Sequence, residues 1–199
     1  MFKVGITGGI GSGKTTVCQL FNSLFQIPVF YADQAAKFLQ DNDDDLKKSI
    51  ISIFGQHIYK DGRLNRPSLA SIVFNDSKKL EQLNHLVHPA VAAYFEKWMQ
   101  TQTAPYILKE AAIFFESGSD QFMDLMIGVF APVELRINRV VQRDSVSAEV
   151  VMSRISQQMD EDEKMKRCHF VILNDGKNAL EAQIETIHKE ILKIIDSKT

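Results

Sequence analysis

The sequence predicts an α/β fold in which a doubly wound parallel sheet of five strands is flanked by helices. Three observations predict it. Short apolar runs alternate with amphipathic helical stripes, the pattern of βαβ units and hence of a parallel sheet. The first run leads into a glycine-rich loop that begins at Gly8. The mostly helical residues 34–103 separate the second and third strands and are too many for a simple crossover, so we expect an inserted subdomain.

The first βαβ unit comprises the N-terminal residues. "FKVGIT" is a short apolar run before glycines, which predicts a buried strand. After Lys14, apolar residues recur at the spacing of an amphipathic helix. They are Val17, Leu20, Phe21, Leu24 and Phe25. "IPVFYAD" predicts a second strand, which we expect to end at Asp33.

The later elements follow in the same way. "YILKEAAIFF", "LMIGVFAP" and "HFVILNDG" predict the third, fourth and fifth strands. "PVELRINRVVQRD" predicts a helix that starts near Pro132, and a last apolar stripe predicts a C-terminal helix. The polar, helically spaced segment between them is expected to be a mobile lid. We predict a core of residues 1–33, 104–143 and 168–199, a helical insertion at 34–103 and a lid at 144–167.

Three local features are expected inside the insertion. "KDGRLNRPS" predicts a turn, because glycine, asparagine and proline favour turns. Pro89 interrupts a helical stripe, so we expect a kink or a helix restart there. The acidic run from Asp41 to Asp45 predicts a loop and a helix start, since carboxylates favour helix N-termini.

Composition argues against several classes of protein. The 199 residues are 45% hydrophobic and 24% charged, which is typical of a globular domain. A formal net charge of −2 argues against a strongly basic nucleic-acid-binding protein and leaves a local basic patch open; we expect no nucleic-acid partner. Cys18 and Cys168 have no metal-type or disulfide-type spacing, so a reducing cytoplasm fits best. We expect neither a membrane span nor a signal segment, because no apolar run is long enough. The oligomeric state stays open, and a monomer is compatible with the sequence.

Residues Gly8 to Thr15 match the pattern G-x-x-x-x-G-K-[ST], the P-loop of nucleoside triphosphate-binding proteins. Glycines let backbone N–H groups surround a phosphate chain, and the following helix adds its N-terminal dipole. We expect Lys14 to bind the β- and γ-phosphates and Thr15 to offer its hydroxyl to Mg²⁺. The other loop candidates are Gly11, Ser12, Gly13 and Thr16. The alternative is a glycine-rich turn with an incidental lysine, but the flanking strand and helix are those the motif requires.

A triphosphate site alone leaves the reaction open. A small-molecule phosphotransferase competes with a GTPase-like switch and with an ATPase motor. Neither N-K-x-D nor D-x-x-G, the usual patterns of switch GTPases, occurs in the sequence, so the switch loses support. A motor would more often be larger or more basic.

Asp33 is a candidate general base. Ligands of open α/β sheets bind at the carboxyl ends of the strands, and an aspartate there can take a proton from an acceptor hydroxyl. The same residue also suits the N-cap of the helix predicted over "QAAKFL". Spacing alone leaves these two interpretations balanced.

Arg139 and Arg143 are candidates for stabilising the transferred phosphoryl group. They lie four residues apart on a predicted helix and therefore share one face. Arginines that face a triphosphate neutralise charge as the phosphoryl group moves. The alternative is a solvated helical face, paired with Glu134 or Asp144.

Six segments occur in a familiar order: "GITGGIGSGKTT", "YAD" followed by "QAAK", "LNHLVHPAV", "FFESG", "NRVVQRD" and "FVILNDG". Together they resemble the dephospho-CoA kinase family over nearly the whole chain. The resemblance implies a P-loop kinase core, a helical substrate domain and a lid. It also implies that ATP with Mg²⁺ phosphorylates the ribose 3′-hydroxyl of dephospho-CoA, the last step of coenzyme A synthesis.

The resemblance also implies roles for individual residues. Asp33 matches the family's acidic residue after the second strand, the general base, and this match favours catalysis over capping. Residues 11–16 match the ATP-binding loop, and Arg139 and Arg143 match arginines that hold nucleotide and phosphates. Further matches are Asn174 and Gly176, in the turn near adenine, and His88 with Pro89, in the substrate-domain signature. His88 taken alone fits a structural or capping histidine at least as well.

The sequence departs from the family pattern before "FFESG". Ala112 stands where relatives often have proline, and Glu110 stands near a usual aspartate. Glu110 could still serve as an acidic group for magnesium. Two rivals stay open: a kinase of the same fold for a nucleoside or nucleotide, and a nucleotide-dependent switch or binding protein.

Overall fold

The computed structural model describes residues 1–73 and 76–198, and it has the predicted α/β architecture. The strands in chain order are β1 (Phe2–Thr7), β2 (Val29–Tyr31), β3 (Tyr59–Lys60), β4 (Arg63–Leu64), β5 (Tyr106–Glu110), β6 (Leu125–Phe130) and β7 (Phe170–Leu173). Five of them form one sheet in the order β2-β5-β1-β6-β7, with parallel pairing of β1 with β5 and β6, and of β6 with β7. β3 and β4 form a separate antiparallel hairpin.

Nine α-helices account for most of the remaining described residues. They are α1 (Lys14–Phe25), α2 (Ala32–Asn42), α3 (Asp44–Phe54), α4 (Arg66–Val73), α5 (Ser77–Met99), α6 (Val133–Asp144), α7 (Ala148–Ser156), α8 (Glu161–Lys166) and α9 (Leu180–Lys198). Short 3₁₀ turns occur at Gln56–Ile58 and Ser119–Phe122. Among the helices so described, none has the length and apolar character needed to cross a membrane.

The centre of the sheet is the core of the molecule. β1 pairs on both sides, and its residues Val4 and Ile6 are fully buried. Val17 and Phe21, on the apolar stripe of α1, are also fully buried. The four residues from Val4 to Thr7 are all buried, so both faces of β1 are covered there, as expected for a central strand of a parallel sheet. The strand thereby fixes the position at which the P-loop leaves the sheet.

The chain forms two compact units. The first contains Met1–Phe30 and the chain from Gln102 onward, and thus the sheet strands with α1 and α6 to α9. The second is Tyr31–Thr101, with α2 to α5 and the hairpin. Inside the second unit, Asp41 accepts hydrogen bonds from the Leu64 amide at 3.0 Å and the Arg66 guanidinium at 2.9 Å. The first bond joins the hairpin to α2, and the second joins α4 to α2.

Several local predictions are confirmed and three are corrected. The Asp43 carboxylate accepts the N–H groups of Asp45 and Leu46, so the acidic run does start a helix. The second strand ends at Tyr31 rather than at Asp33, because the following alanines and glutamine favour helix and α2 starts at Ala32.

The other two corrections lie in the second unit. The predicted turn is present, but it joins two short strands, β3 and β4, that were not predicted. Asp61 and Gly62 have φ of 50° and 76°, the left-handed values of a tight hairpin turn. Helix α5 runs through Pro89 from Ser77 to Met99, which excludes the restart. The kink, the other expected alternative, stays a prediction.

Candidate active site

The loop between β1 and α1 needs its glycines. Gly11 and Gly13 have φ of 80° and 93°, in the left-handed region that side chains rarely adopt. A Cβ at Gly11 would lie 2.5 Å from the carbonyl oxygen of Arg136 in α6. The loop therefore packs directly against the backbone of α6, and only glycine allows this approach.

Lys14 is the first residue of α1 and only 8% exposed. Its ammonium donates hydrogen bonds to the carbonyl oxygens of Gly8, at 2.9 Å, and Gly9, at 3.3 Å. The charge is therefore held against the loop, at the positive end of a helix dipole. A phosphate group that enters the loop meets both this charge and the N–H groups of the first turn of α1.

Thr15 and Glu110 come together across the end of the sheet. The Thr15 hydroxyl donates to Oε2 of Glu110, the last residue of β5, at 3.3 Å. The pKa of the Cys18 thiol in α1 is raised, mainly because the thiol is buried and also because the Glu110 carboxylate is negatively charged. A hydroxyl and a carboxylate are the hard oxygen ligands that Mg²⁺ prefers, and Mg²⁺ commonly takes few protein ligands beside substrate phosphates. These two side chains fit a magnesium ion.

Arg139 and Asn174 hold the outer side of the loop. The Arg139 guanidinium donates to the carbonyl oxygens of Gly11 and Ser12, both at 3.4 Å, and to Asn174, at 3.1 and 3.2 Å. The Asn174 side chain donates to the Ser12 carbonyl at 2.8 Å. Carbonyl groups tied outward leave the N–H groups of the same loop turned inward, towards a bound anion. The structure thus brings two predicted site residues to the P-loop.

Arg136 is a site residue that was not predicted. Its guanidinium donates to the Ile10 carbonyl at 3.0 Å and forms an ion pair of 2.9 Å with Glu161 in α8. The side chain is only 4% exposed. Arg136 lies three residues before Arg139 on the same helix face, and this spacing is the signal that could have identified it.

The segment predicted as a lid also contacts the loop. Glu161 and Gln158 accept hydrogen bonds from the N–H groups of Gly9 and Ile10, at 3.1 and 2.9 Å. Buried Lys164 anchors the same segment, because its ammonium donates to the Ala112 carbonyl, at 2.9 Å, and to Glu116, at 2.9 Å. Neither set of contacts was predicted, since the partners are far apart in the sequence.

Arg143 has a different environment from Arg139. Its guanidinium is paired with Asp144, at 2.7 and 3.1 Å, and its side chain is 64% exposed. Arg154 also binds Asp144, at 3.3 Å. The hydrogen bond from Arg143 chiefly lowers the pKa of Asp144. The structure therefore shows for Arg143 the pairing with Asp144 that the sequence left open as the alternative.

Three further predicted residues belong to other elements of the chain. Asp33 is the second residue of α2, in the second unit, and the N-cap of that helix is Tyr31. His88 lies within α5 and lines a cavity of about 340 Å³. Gly176 has φ of 79° in the turn after β7, two residues beyond Asn174. The roles predicted for these three residues stay predictions.

A parallel sheet, a glycine loop closed by a buried lysine and a helical segment bound to that loop define the class of P-loop kinases. The family model of dephospho-CoA kinases matches residues 2–179. The chain therefore belongs to the dephospho-CoA kinase family.

Individual relatives agree with this membership. The dephospho-CoA kinase of Bacteroides fragilis strain YCH46 is 39% identical over 183 residues, which cover 92% of this chain and 89% of the relative. The crystal structure of TT1252 from Thermus thermophilus has a TM-score of 0.84 and 34% identity, covering 96% of each chain. The dephospho-CoA kinase from Campylobacter jejuni has a TM-score of 0.67 and 29% identity, covering 96% of this chain and 97% of its own.

Proposed function

We propose that the protein transfers the γ-phosphoryl group of ATP to the ribose 3′-hydroxyl of dephospho-CoA, giving coenzyme A and ADP in the cytoplasm. The observation that carries the proposal is the P-loop. The buried Lys14 ammonium is hydrogen-bonded to a carbonyl of the loop, and the Thr15 hydroxyl is hydrogen-bonded to Glu110. Family membership supports the choice of acceptor. The proposed division is a kinase core of residues 1–33, 104–143 and 168–199, a substrate-binding insertion of 34–103 and a lid of 144–167.

On the nucleotide side, phosphoryl transfer depends on positioning and charge rather than on covalent chemistry. The first-turn N–H groups of α1 and the Lys14 ammonium bind the β- and γ-phosphates. Thr15 and Glu110 would hold Mg²⁺, which when bound neutralises charge on the phosphates. Arg139 keeps the loop carbonyls turned outward through its bonds to Gly11 and Ser12. Asn174 and Gly176 lie in the turn proposed to contact adenine.

On the acceptor side, Asp33 is the proposed general base. It lies two residues beyond the end of β2, a strand of the parallel sheet, where ligands of such sheets bind. Its carboxylate orients the 3′-hydroxyl and takes the proton as the oxygen attacks phosphorus. Arg143 is the proposed second arginine on the phosphates, and His88 is a proposed substrate contact.

The test offers Mg²⁺–ATP with dephospho-CoA beside adenosine, AMP, pantetheine and no acceptor, and identifies products by mass spectrometry. One phosphate added at the 3′ position of dephospho-CoA alone supports the proposal. Phosphorylation of adenosine or AMP instead would assign a nucleoside or nucleotide kinase. ATP consumption without any acceptor would favour a nucleotide-dependent switch.

The variant Asp33→Asn tests the role of the base. We expect turnover to fall by about 10²–10⁴-fold, the usual contribution of a general base, with ATP affinity unchanged. Asp45→Asn is the matched control, because Asp45 is also the second residue of a helix and is exposed. Loss of ATP binding in Asp33→Asn, measured by calorimetry, would instead indicate a structural role.

A further inference from the structure

The first half of the P-loop is held by the lid segment. The Gly9 N–H donates to Oε1 of Glu161 at 3.1 Å, and the Ile10 N–H donates to Oε1 of Gln158 at 2.9 Å. Glu161 is the first residue of α8, and Gln158 lies between α7 and α8. Two consecutive loop amides therefore have their hydrogen-bond acceptors in the lid segment.

Arg136 joins the same contact from α6. Its Nη1 lies 2.9 Å from Oε2 of Glu161, and its Nε donates to the Ile10 carbonyl at 3.0 Å. Each oxygen of Glu161 thus has its own partner, one in the loop and one in α6. The Arg136 and Glu161 side chains are only 4% and 14% exposed. Removal of either charge leaves the other one buried without its partner.

Gly9 is the point at which these groups meet. A Cβ on Gly9 would collide with the Arg136 guanidinium and with Oε2 of Glu161. The ion pair therefore lies directly on the loop backbone. The N–H and C=O groups of Ile10 are hydrogen-bonded to Gln158 and Arg136. The N–H groups in the first turn of α1, by contrast, point towards the position of a phosphate.

We propose that Glu161 is a positioning residue for ATP. It fixes the first half of the P-loop directly at Gly9 and through Arg136, while Gln158 of the same segment fixes Ile10. In this arrangement the conformation of the phosphate loop depends on the position of the lid segment. In the proposal Glu161 touches no reacting atom; it fixes the loop backbone that leads into the phosphate-binding first turn of α1. The inference rests on the proposed binding of ATP at the P-loop.

The test compares Glu161→Gln with Glu163→Gln. Both change one carboxylate of α8 to an amide, but Glu163 is exposed and pairs only with Lys166 among the ion pairs described for it. We expect Glu161→Gln to raise the Kd and KM for Mg²⁺–ATP at least tenfold and the KM for dephospho-CoA less than twofold. Glu163→Gln should change neither value by more than twofold. A purely structural role would lower kcat and the melting temperature with KM for ATP unchanged.

A double-mutant cycle tests the shared contact. If Arg136 and Glu161 act together, Arg136→Met combined with Glu161→Gln weakens ATP binding no more than the worse single change. Additive losses would overturn the proposal, as would an ATP affinity of Glu161→Gln within twofold of the parent. If Glu161→Gln does not fold, Gln158→Met removes only an uncharged acceptor, and its ATP affinity is expected to fall about fivefold; an unchanged affinity refutes the inference.

The calorimetric titration uses ATP without an acceptor, so its outcome is separate from the choice of acceptor. A protein that binds ATP but leaves dephospho-CoA unmodified would refute the proposed function and leave this inference standing. A parent protein that binds no ATP would overturn both.

Discussion

Lys164→Met tests how the lid segment is anchored. Lys164 is fully buried in α8, and methionine keeps most of its volume while removing the ammonium. The ammonium donates to the Ala112 carbonyl and to Glu116, both at 2.9 Å. Neither acceptor is left without a donor after the change. Ala112 still accepts from Thr7 at 3.3 Å, and Glu116 still accepts from the Met159 amide at 2.9 Å.

These remaining donors limit the loss of stability that we expect for Lys164→Met. Removing one partner of a fully buried pair costs about 3–5 kcal/mol. The Glu116 side chain is 23% exposed, so water can reach its carboxylate, and we expect about 2–3 kcal/mol. At roughly 2–4 °C per kcal/mol for a chain of this size, the melting temperature should fall by about 4–12 °C.

Thermal unfolding measured by circular dichroism or calorimetry checks this value. Lys166→Met is the matched control: it lies in the same helix, and its pair with Glu163 is 2.6 Å long but 70% and 62% exposed. Exposed pairs of this kind contribute about 0–1 kcal/mol, so the control should melt within about 4 °C of the parent. If Lys164→Met is as stable as the parent or more stable, the buried pair does not hold the lid segment.

Two further predictions concern carboxylates of the same unit. Glu110→Gln should raise the Mg²⁺ concentration for half-maximal velocity at least fivefold, because Thr15 then lacks its anionic neighbour; Glu185→Gln, exposed on α9, is the control and should change nothing. For Glu116, burial raises the pKa, but the Met159 amide and Lys164 outweigh it and lower the pKa below its ordinary value of 4.5. A lowered folded-state pKa stabilises the fold above pH 4.5, and this contribution is lost as the pH falls through the folded value. The deficit in melting temperature of Glu116→Gln should therefore be largest above pH 4.5 and shrink in acid; a deficit that does not vary with pH contradicts this assignment.

Local sequence patterns predicted most of the first unit. Strands β1, β5, β6 and β7 were predicted as short, mostly apolar runs. The spacing of glycine, lysine and threonine in the loop after β1 predicted phosphate binding. The short hairpin was missed because two-residue strands carry no alternation to detect. The start of α2 was misplaced because "YAD" fits the end of a strand as well as the first turn of a helix.

Local sequence patterns could not predict contacts between residues that are far apart in the sequence. Arg136 lies 126 residues from Ile10, and Glu161 lies 152 residues from Gly9. A charged residue in a polar helix predicts only that it faces water, and no periodicity states which backbone group it will meet. The partners are set by the order of the strands, which places α6 and the lid segment beside the loop after β1.

Two of the three arginines of α6 show what helical spacing does establish. Arg139 and Arg143 share a face, as their spacing predicts, yet Arg139 contacts the loop and Arg143 contacts Asp144. The difference follows from position along the helix. Arg139 is one turn closer to the loop, whereas Arg143 lies in the last turn, before Ser145 takes φ of 54° and ends the helix. A shared face therefore gives two side chains one direction, but their distance from the site and the nearest carboxylate decide which of them holds the P-loop.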